Sequence, residues 1–387
     1  MLNFIYHVPT KIYFGKGQIK SLGAELEKHA KKALIVTGQG SVKKHGIFDD
    51  VVKEFSAAGV PFAELTGVKP NPRLKSVYNG IDICKKEKAD FILAVGGGSV
   101  IDTAKAIAAG VKYKGDVWDF FTKDIVCEDA LPLGTVLTLA ATGSEMDTYA
   151  VITNEQSQRK LAFGSKAVRP VFSILDPEYT YTVTKYNTAA GIADIMTHIF
   201  EEYFSEPYSA AVPDRMSEAL LKVCVHYGPV ACENPRDYEA RANILWTSSL
   251  ALNDMLDAGK RGDWASHAIE HELSAIYDIS HGVGLAIIVP NWMRFVLNND
   301  TARKLADYGK NVWNIDGKNE MEIANKAIDK TISFFKSLGL PSRLKEIDIG
   351  NEHFKKMAES AIECQGEVGS FKSLSASDIV EIFKMSL

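Results

Sequence analysis

Short apolar runs alternate with helix-like stretches through the first half of the chain. Residues 32–37 (Lys-Ala-Leu-Ile-Val-Thr) and 91–95 (Phe-Ile-Leu-Ala-Val) are nearly continuous apolar runs that end in glycines, as strands buried on both faces do. Residues 61–65, 133–139, 150–154, 160–163 and 172–175 read as further strands. Between them, 19–30, 48–58, 74–88 and 100–109 carry apolar residues at helical spacing. Strand and helix alternating in this way predict a parallel α/β sheet. Ahead of them, bulky residues alternate around Phe4, Tyr6, Val8, Ile12 and Phe14, which predicts a strand or hairpin at a sheet edge.

From Thr184 the period changes. Helical spacing takes over at 188–204, 214–226, 238–256, 264–277, 284–297, 301–313, 320–338 and 353–363, with a last helix near the C-terminus. We therefore place a domain boundary near 185, giving an α/β domain over 1–185 and an all-helical domain over 186–387.

Composition narrows the classes. The 387 residues are 46% hydrophobic and 24% charged, ordinary for a chain that buries large cores. The net charge of −5, with no basic run, argues against nucleic acid and anionic membranes as partners. No apolar stretch is long enough to span a bilayer, and the N-terminus lacks the features of a signal peptide. Five scattered cysteines without a Cys-x-x-Cys fit reduced thiols, so a cytoplasmic location is expected.

Two glycine loops follow buried strands. Gly96-Gly97-Gly98-Ser99 stands where a strand meets a helix start, a place where close backbone approach and unpaired N–H groups favour a pyrophosphate. Ser99 and Asp102 equally form a Ser-x-x-Asp capping pair, which needs no ligand, so both readings stay open. At Gly38-Gln-Gly40-Ser41 no acidic residue stands between Val36 and Lys44 to accept from a ribose 2′-hydroxyl. Ser41, Lys43 and Lys44 would instead welcome a 2′-phosphate, and a plain polar turn is the competing reading. Thr138 and residues 141–145 (Ala-Thr-Gly-Ser-Glu) end another strand with small polar groups that suit either a nicotinamide pocket or a cap.

The second half holds the candidate metal chemistry. Asp194 and His198 lie one helical turn apart (i, i+4), as do His267 and His271, and His281 precedes Gly282 and Gly284. A carboxylate and imidazoles from separate helices can hold a divalent first-row metal with a position left open. Isolated histidines such as His7, His29, His45, His226 and His353 read as ordinary surface or core residues. Spacing does not decide which of His267, His271 and His281 bind.

Residues 14–17 (Phe-Gly-Lys-Gly), 96–105 (Gly-Gly-Gly-Ser-Val-Ile-Asp-Thr-Ala-Lys), 141–145 and the Asp194/His198/His267/His281 set resemble the iron-containing (group III) alcohol dehydrogenases over essentially the whole chain. Asn71 after Pro70, residues 175–177 (Leu-Asp-Pro) and 262–267 (Gly-Asp-Trp-Ala-Ser-His) are similar to the branch of NADPH-dependent butanol dehydrogenases and broad-range aldehyde reductases. The resemblance implies a dehydroquinate synthase-like fold, a Rossmann-like parallel sheet followed by helices. It implies Asp194, His198, His267 and His281 as ligands of one divalent ion, iron or zinc, and His271 as a non-ligand histidine that relays a proton. It further implies Gly97, Gly98 and Ser99 on the pyrophosphate, and Gly38, Gly40 and Ser41 at the adenosine ribose. Asn71, Thr138, Thr142, Asp147, Lys160 and Tyr179 would line the rest of the NADP(H) site. In NAD-preferring relatives an Asp stands where Gly38 does, which favours NADP here. The expected activity is reversible reduction of a small aldehyde to a primary alcohol by a homodimer. A polyol dehydrogenase or a lyase of the same architecture, a metallohydrolase and a non-enzymatic binding module are the alternatives.

Overall fold

The computed structural model describes residues 1–206 and 210–387. It divides into two compact units, Val8–Val183 and Met1–His7 with Thr184–Leu387.

The first unit is built on strands β1 (Lys11–Phe14), β2 (Ala33–Gly38), β3 (Phe62–Val68), β4 (Phe91–Gly96), β5 (Leu133–Leu137), β6 (Tyr149–Asn154), β7 (Arg159–Gly164) and β8 (Phe172–Leu175). Its helices are α1 (Leu22–His29), α2 (Ser41–Lys44), α3 (Ile47–Ala58), α4 (Leu74–Glu87), α5 (Gly98–Lys112) and α6 (Asp119–Thr122). Six strands form one parallel sheet in the order β1-β8-β5-β4-β2-β3. Every residue of the strands β4, β5 and β8 is buried, as in parallel sheets covered on both faces, with Thr135 and Ser173 their only polar side chains. Apolar side chains of α1 and α3 (Leu22, Leu26, Val51, Phe55) close one core against Ile35, Phe91 and Phe172.

Counted from β2, the order β3-β2-β4-β5-β8 is the doubly wound 2-1-3-4-5 arrangement, in which strand order reverses between β2 and β4. Open α/β sheets bind ligands at the carboxyl ends of the strands at that reversal. The β2–β4 register, Thr37 opposite Val95, places the Gly38 and Gly96 loops side by side there.

The hairpin β6–β7 is antiparallel and stands apart from the main sheet. It is fastened to α5 by buried polar groups. Lys105 Nζ donates to Asp147 Oδ1 (2.6 Å) and to the Tyr149 carbonyl (2.8 Å), and Asp102 accepts from Ser144 Oγ (2.6 Å) and the Val151 N–H (3.0 Å).

The second unit is helical: α7 (Lys185–Tyr203), α8 (Ala211–Glu233), α9 (Tyr238–Ala251), α10 (Ala265–Tyr277), α11 (His281–Val296), α12 (Ala302–Trp313), α13 (Glu320–Ser337), α14 (Phe354–Gln365) and α15 (Ala376–Met385). Thr184 caps α7 by accepting from the Asn187 N–H (3.2 Å). From Thr188 to Tyr203 every residue of α7 is buried, so it is a core helix that its neighbours wrap.

Three differences from the sequence reading have physical causes. Residues 1–10 form no strand; Leu2 N–H bonds the Gly259 carbonyl (2.8 Å) in the helical unit, and the edge strand is Lys11–Phe14. Helix α8 runs through Pro229 to Glu233 rather than stopping near 226, a cost in one hydrogen bond that burial of Ala231 and Cys232 offsets. The Ser99–Asp102 cap does not form: Gly97 is the N-cap of α5, and Asp102 turns instead to Ser144 and Val151.

Candidate metal centre and dinucleotide edge

Asp194 and His198 project from the same face of α7, His267 from the first turn of α10, and His281 from the start of α11. Three imidazole nitrogens converge on Asp194 Oδ1: His198 Nδ1 at 3.5 Å, His267 Nε2 at 3.8 Å and His281 Nε2 at 3.5 Å. These are not hydrogen bonds, and Asp194 Oδ1, His198 Nδ1 and His267 Nε2 are buried polar atoms left without one. Ligand atoms about 2.1 Å from one ion at tetrahedral angles lie about 3.4 Å from each other, so the observed spacing fits a divalent metal. Buried donors held together without hydrogen bonds are costly unless something else satisfies them.

Ligand atoms of Asp194, His267 and His281 all lie within 4.8 Å of one another. His198 stands at the edge of this group, its ring stacked on His267 with centroids 4.6 Å apart. His271, also on α10, faces His281 at 5.6 Å between centroids and forms a second group with His281 and Glu270.

The electrostatics follow from burial and proximity. Burial opposes the charge on Asp194, but His198, His281 and His267 hold its pKa down at about 2. Burial pushes His198 down to about 4. Burial also disfavours charge on His267, yet the carboxylates of Asp194 and Glu201 raise it to about 9.

Sequence reasoning passed over two buried carboxylates behind the histidines. Glu201, one turn beyond His198 on α7, accepts from the His267 backbone N–H and faces His267 Nδ1, both at 3.0 Å. Glu270 bonds His281 Nδ1 through one oxygen and Ser274 Oγ through the other. Their only signal in the sequence is the i, i+3 relation to His198 and His267, a relation that helix carboxylates commonly show by chance.

In the first unit, the Gly38 and Gly96 loops meet at the sheet edge, and Gly40 takes the left-handed conformation (φ 111°) that starts α2. No side chain caps α5, and the Val100 and Ile101 N–H groups bond the Gly97 carbonyl (3.0 and 3.2 Å), so an anion at this helix start would meet the N–H groups of Gly98 and Ser99. A Cβ on Gly98 would lie 2.4 Å from Thr142 Oγ1, so that loop and the strand-end loop after β5 touch. Thr138 N–H bonds the Gly96 carbonyl (3.1 Å), bringing it to the same edge, while Ser99 lies in the first turn of α5. Asn71 (φ 49°) sits in a loop tied to the hairpin by Thr153 N–H to the Pro72 carbonyl (2.8 Å); Lys160 is buried opposite Thr153. Asp147 is spent on Lys105 and the Tyr149 N–H (2.7 Å), an internal role. Tyr179 turns its hydroxyl to Asp50 of α3 (3.0 Å) rather than to the glycine loops. Asp176 accepts from the Gly17 N–H (2.6 Å), so the residues 14–17 and 175–177 form one corner of the sheet.

The first unit is thus a doubly wound sheet with two glycine loops at its switch point, and the helical unit holds a buried Asp/His cluster at ligand spacing. The chain belongs to the iron-containing alcohol dehydrogenase family: residues 9–177 match "Iron-containing alcohol dehydrogenase" and 188–387 match "Fe-containing alcohol dehydrogenase family, C-terminal". It is 50% identical to the NADH-dependent butanol dehydrogenase A of Clostridium acetobutylicum, over 100% of both chains. It is 39% identical to the NADPH-dependent aldehyde reductase YqhD of Escherichia coli, over 95% of this chain and 96% of that one. The crystal structure of NADH-dependent butanol dehydrogenase A from Thermotoga maritima matches with a TM-score of 0.96 and 40% identity, covering 100% of this chain and 99% of that one. The chain is thus an oxidoreductase of the alcohol dehydrogenase type. Among the described residues no helix is long and apolar enough to cross a membrane.

Proposed function

We propose that this protein interconverts short-chain aldehydes such as butanal and primary alcohols such as butanol with NADP(H) and one divalent metal ion, iron or zinc. The observation that carries the reading is the convergence of His198, His267 and His281 nitrogens on Asp194 Oδ1 at ligand spacing. When bound, the ion supplies Lewis acidity to the carbonyl oxygen and the nicotinamide supplies the hydride. Asp194, His198, His267 and His281 would hold the ion, and Gly97, Gly98 and Ser99 would take the pyrophosphate at the uncapped start of α5. His271, grouped with His281 and Glu270, would relay a proton to the substrate oxygen through the cofactor ribose or water.

The preference for NADP(H) rests on the β2 loop. Gly38, Gly40 and Ser41 carry no carboxylate, and Ser41 and Lys44 are exposed there; Lys43 is held 2.5 Å from Glu64. The relatives named above stand on both sides of this question, so the two cofactors must be compared directly. The same reading includes a cytoplasmic homodimer, with Leu2, Phe4 and Ile5 (52%, 52% and 88% exposed) as apolar surface for a second copy to cover.

The test is oxidation of NADPH and of NADH over an aldehyde series, with propane-1,3-diol oxidation alongside and metal analysis of the same sample. We expect turnover of butanal, faster with NADPH, and about one metal ion per chain. No turnover with either cofactor after reloading with Fe²⁺ or Zn²⁺ would reject the reading. Sedimentation of the same sample gives the oligomeric state.

A further inference from the structure

We infer that Glu201 and Glu270 are positioning residues of the metal centre, each holding one histidine in the tautomer that ligates through Nε2. This rests on the metal reading of the site and adds two residues to it. Both carboxylates are fully withdrawn from water, Glu201 at 1% exposure and Glu270 at 0%. A carboxylate placed so is costly unless charge and hydrogen bonds compensate it. Here each is aimed at an imidazole Nδ1: Glu201 Oε1 at His267 (3.0 Å) and Glu270 Oε2 at His281. An Nδ1–H that donates to a carboxylate fixes the ring orientation, leaves the Nε2 lone pair free and makes it a stronger donor. Those Nε2 atoms are the ones directed at Asp194 Oδ1, 3.8 and 3.5 Å away.

The surrounding chain supports each carboxylate. Ser274 Oγ donates to the second oxygen of Glu270. A Cβ on Gly284 would lie 2.7 Å from Glu270 Cγ and 2.9 Å from its Oε1, so the missing side chain at 284 makes room for Glu270 to reach His281. Glu201 also accepts from the His267 N–H (3.0 Å), one of the N–H groups of the first turn of α10 that lack a helical partner. With Asp194, three buried carboxylates meet around two imidazoles, a charge arrangement that a dication completes.

Glu201→Gln and Glu270→Gln keep an acceptor oxygen of the same shape and remove the charge, so they separate electrostatic support from packing. The metal-stripped wild type, both variants, Ser274→Ala and Asp194→Asn would be titrated with Zn²⁺ against a chromophoric chelator and with Co²⁺ for its visible spectrum. We expect each Gln variant to bind Zn²⁺ about 10–100-fold more weakly, with an altered Co²⁺ spectrum. Their metal-free thermal midpoints should be unchanged or higher, which a merely structural role would not give. Ser274→Ala, which keeps the Glu270 charge, should show a smaller loss and serves should Glu270→Gln fail to fold. Zn²⁺ affinities of both Gln variants within about threefold of wild type, while Asp194→Asn loses the ion, would overturn the inference and leave the metal reading standing. A wild type that binds no Zn²⁺ or Co²⁺ would overturn the metal reading itself, and this inference with it.

Discussion

The first turn of α11 presses on α7 so closely that a Cβ on Gly282 would lie 2.0 Å from the carbonyl oxygen of Ala190. The obstacle is main chain, which cannot rotate aside as a side chain does. Gly282 follows His281, and Ala190 stands one turn before Asp194 on α7. The contact therefore sets the 3.5 Å spacing between His281 Nε2 and Asp194 Oδ1. Gly282→Ala should push α11 outward, destabilise the protein by about 1–3 kcal/mol and reduce bound metal. Metal analysis and thermal unfolding check this. Full metal content in a destabilised variant would show that the helix contact and the ligand spacing are independent.

At the dinucleotide edge, Gly98 has two candidate reasons to lack a side chain. One is Thr142, whose Oγ1 and Cγ2 would lie 2.4 and 2.5 Å from a Cβ; the other is approach of a pyrophosphate. Gly98→Ala alone should weaken both folding and cofactor binding. Combining it with Thr142→Gly relieves the internal clash. We expect the double variant to regain thermal stability relative to Gly98→Ala while still binding NADPH at least about tenfold more weakly than Thr142→Gly alone, a loss of about 1.4 kcal/mol. Recovery of both properties would make Gly98 a packing residue only.

Much of this architecture was legible because burial imposes period. The short apolar runs at 32–37 and 91–95, each ending in glycines, read as strands covered on both faces, and α7, α10 and α11 carry the spacing of core helices. The Asp194/His198 pair was legible for the same reason, because the two share a helix face whatever the fold does elsewhere, whereas spacing left open which of His267, His271 and His281 join them. Glu201 and Glu270 were not, because a helical glutamate becomes informative only when tertiary packing buries it against a partner from another helix. Ser99 and Asp102 failed as a cap for a related reason. Val151 of β6 and Ser144 in the loop before it offered Asp102 two donors that local spacing cannot reveal. The apolar alternation over residues 4–8 follows strand period, but no neighbouring strand pairs with it among the described residues, and Ile5 stays 88% exposed.

Gly38 ends β2 with ordinary space around it: a Cβ there would lie 3.6 Å from the Val68 carbonyl and 3.7 Å from Val100 Cγ2. Gly38→Asp is therefore tolerable to the fold and places a carboxylate where a ribose 2′-hydroxyl would donate and a 2′-phosphate would be repelled. We expect the ratio of kcat/KM for NADPH over NADH to fall at least about tenfold, or about 1.4 kcal/mol of differential binding, with thermal stability nearly unchanged. A ratio that does not move would place the adenosine end of the cofactor away from this loop.

Lys304 tests the electrostatics of the helical unit away from the Asp194 cluster. Its Nζ contacts Asp214 Oδ2 and lies 3.9 Å from the centroid of the Tyr203 ring, while Lys260 holds the other oxygen of Asp214 at 2.7 Å. Burial, and then the charge of Lys260, lower the Lys304 pKa from an ordinary 10.5 to about 8, against the pull of Asp214 and Glu218. Below pH 8 the folded and unfolded chains both carry this proton. Between about 8 and 10.5 the unfolded chain binds more of it than the folded one, so this group makes stability rise with pH across that window. Lys304→Met leaves the Lys260–Asp214 pair in place and removes that rise. At pH 7 the variant should be as stable as the wild type or more so, because a buried charge is replaced by an apolar side chain of similar length. Urea unfolding at pH 7, 8, 9 and 10 measures the difference. A variant that is strongly destabilised at pH 7, or whose stability climbs with pH as steeply as the wild type, would show that Lys304 is held by its ion pair rather than strained by burial.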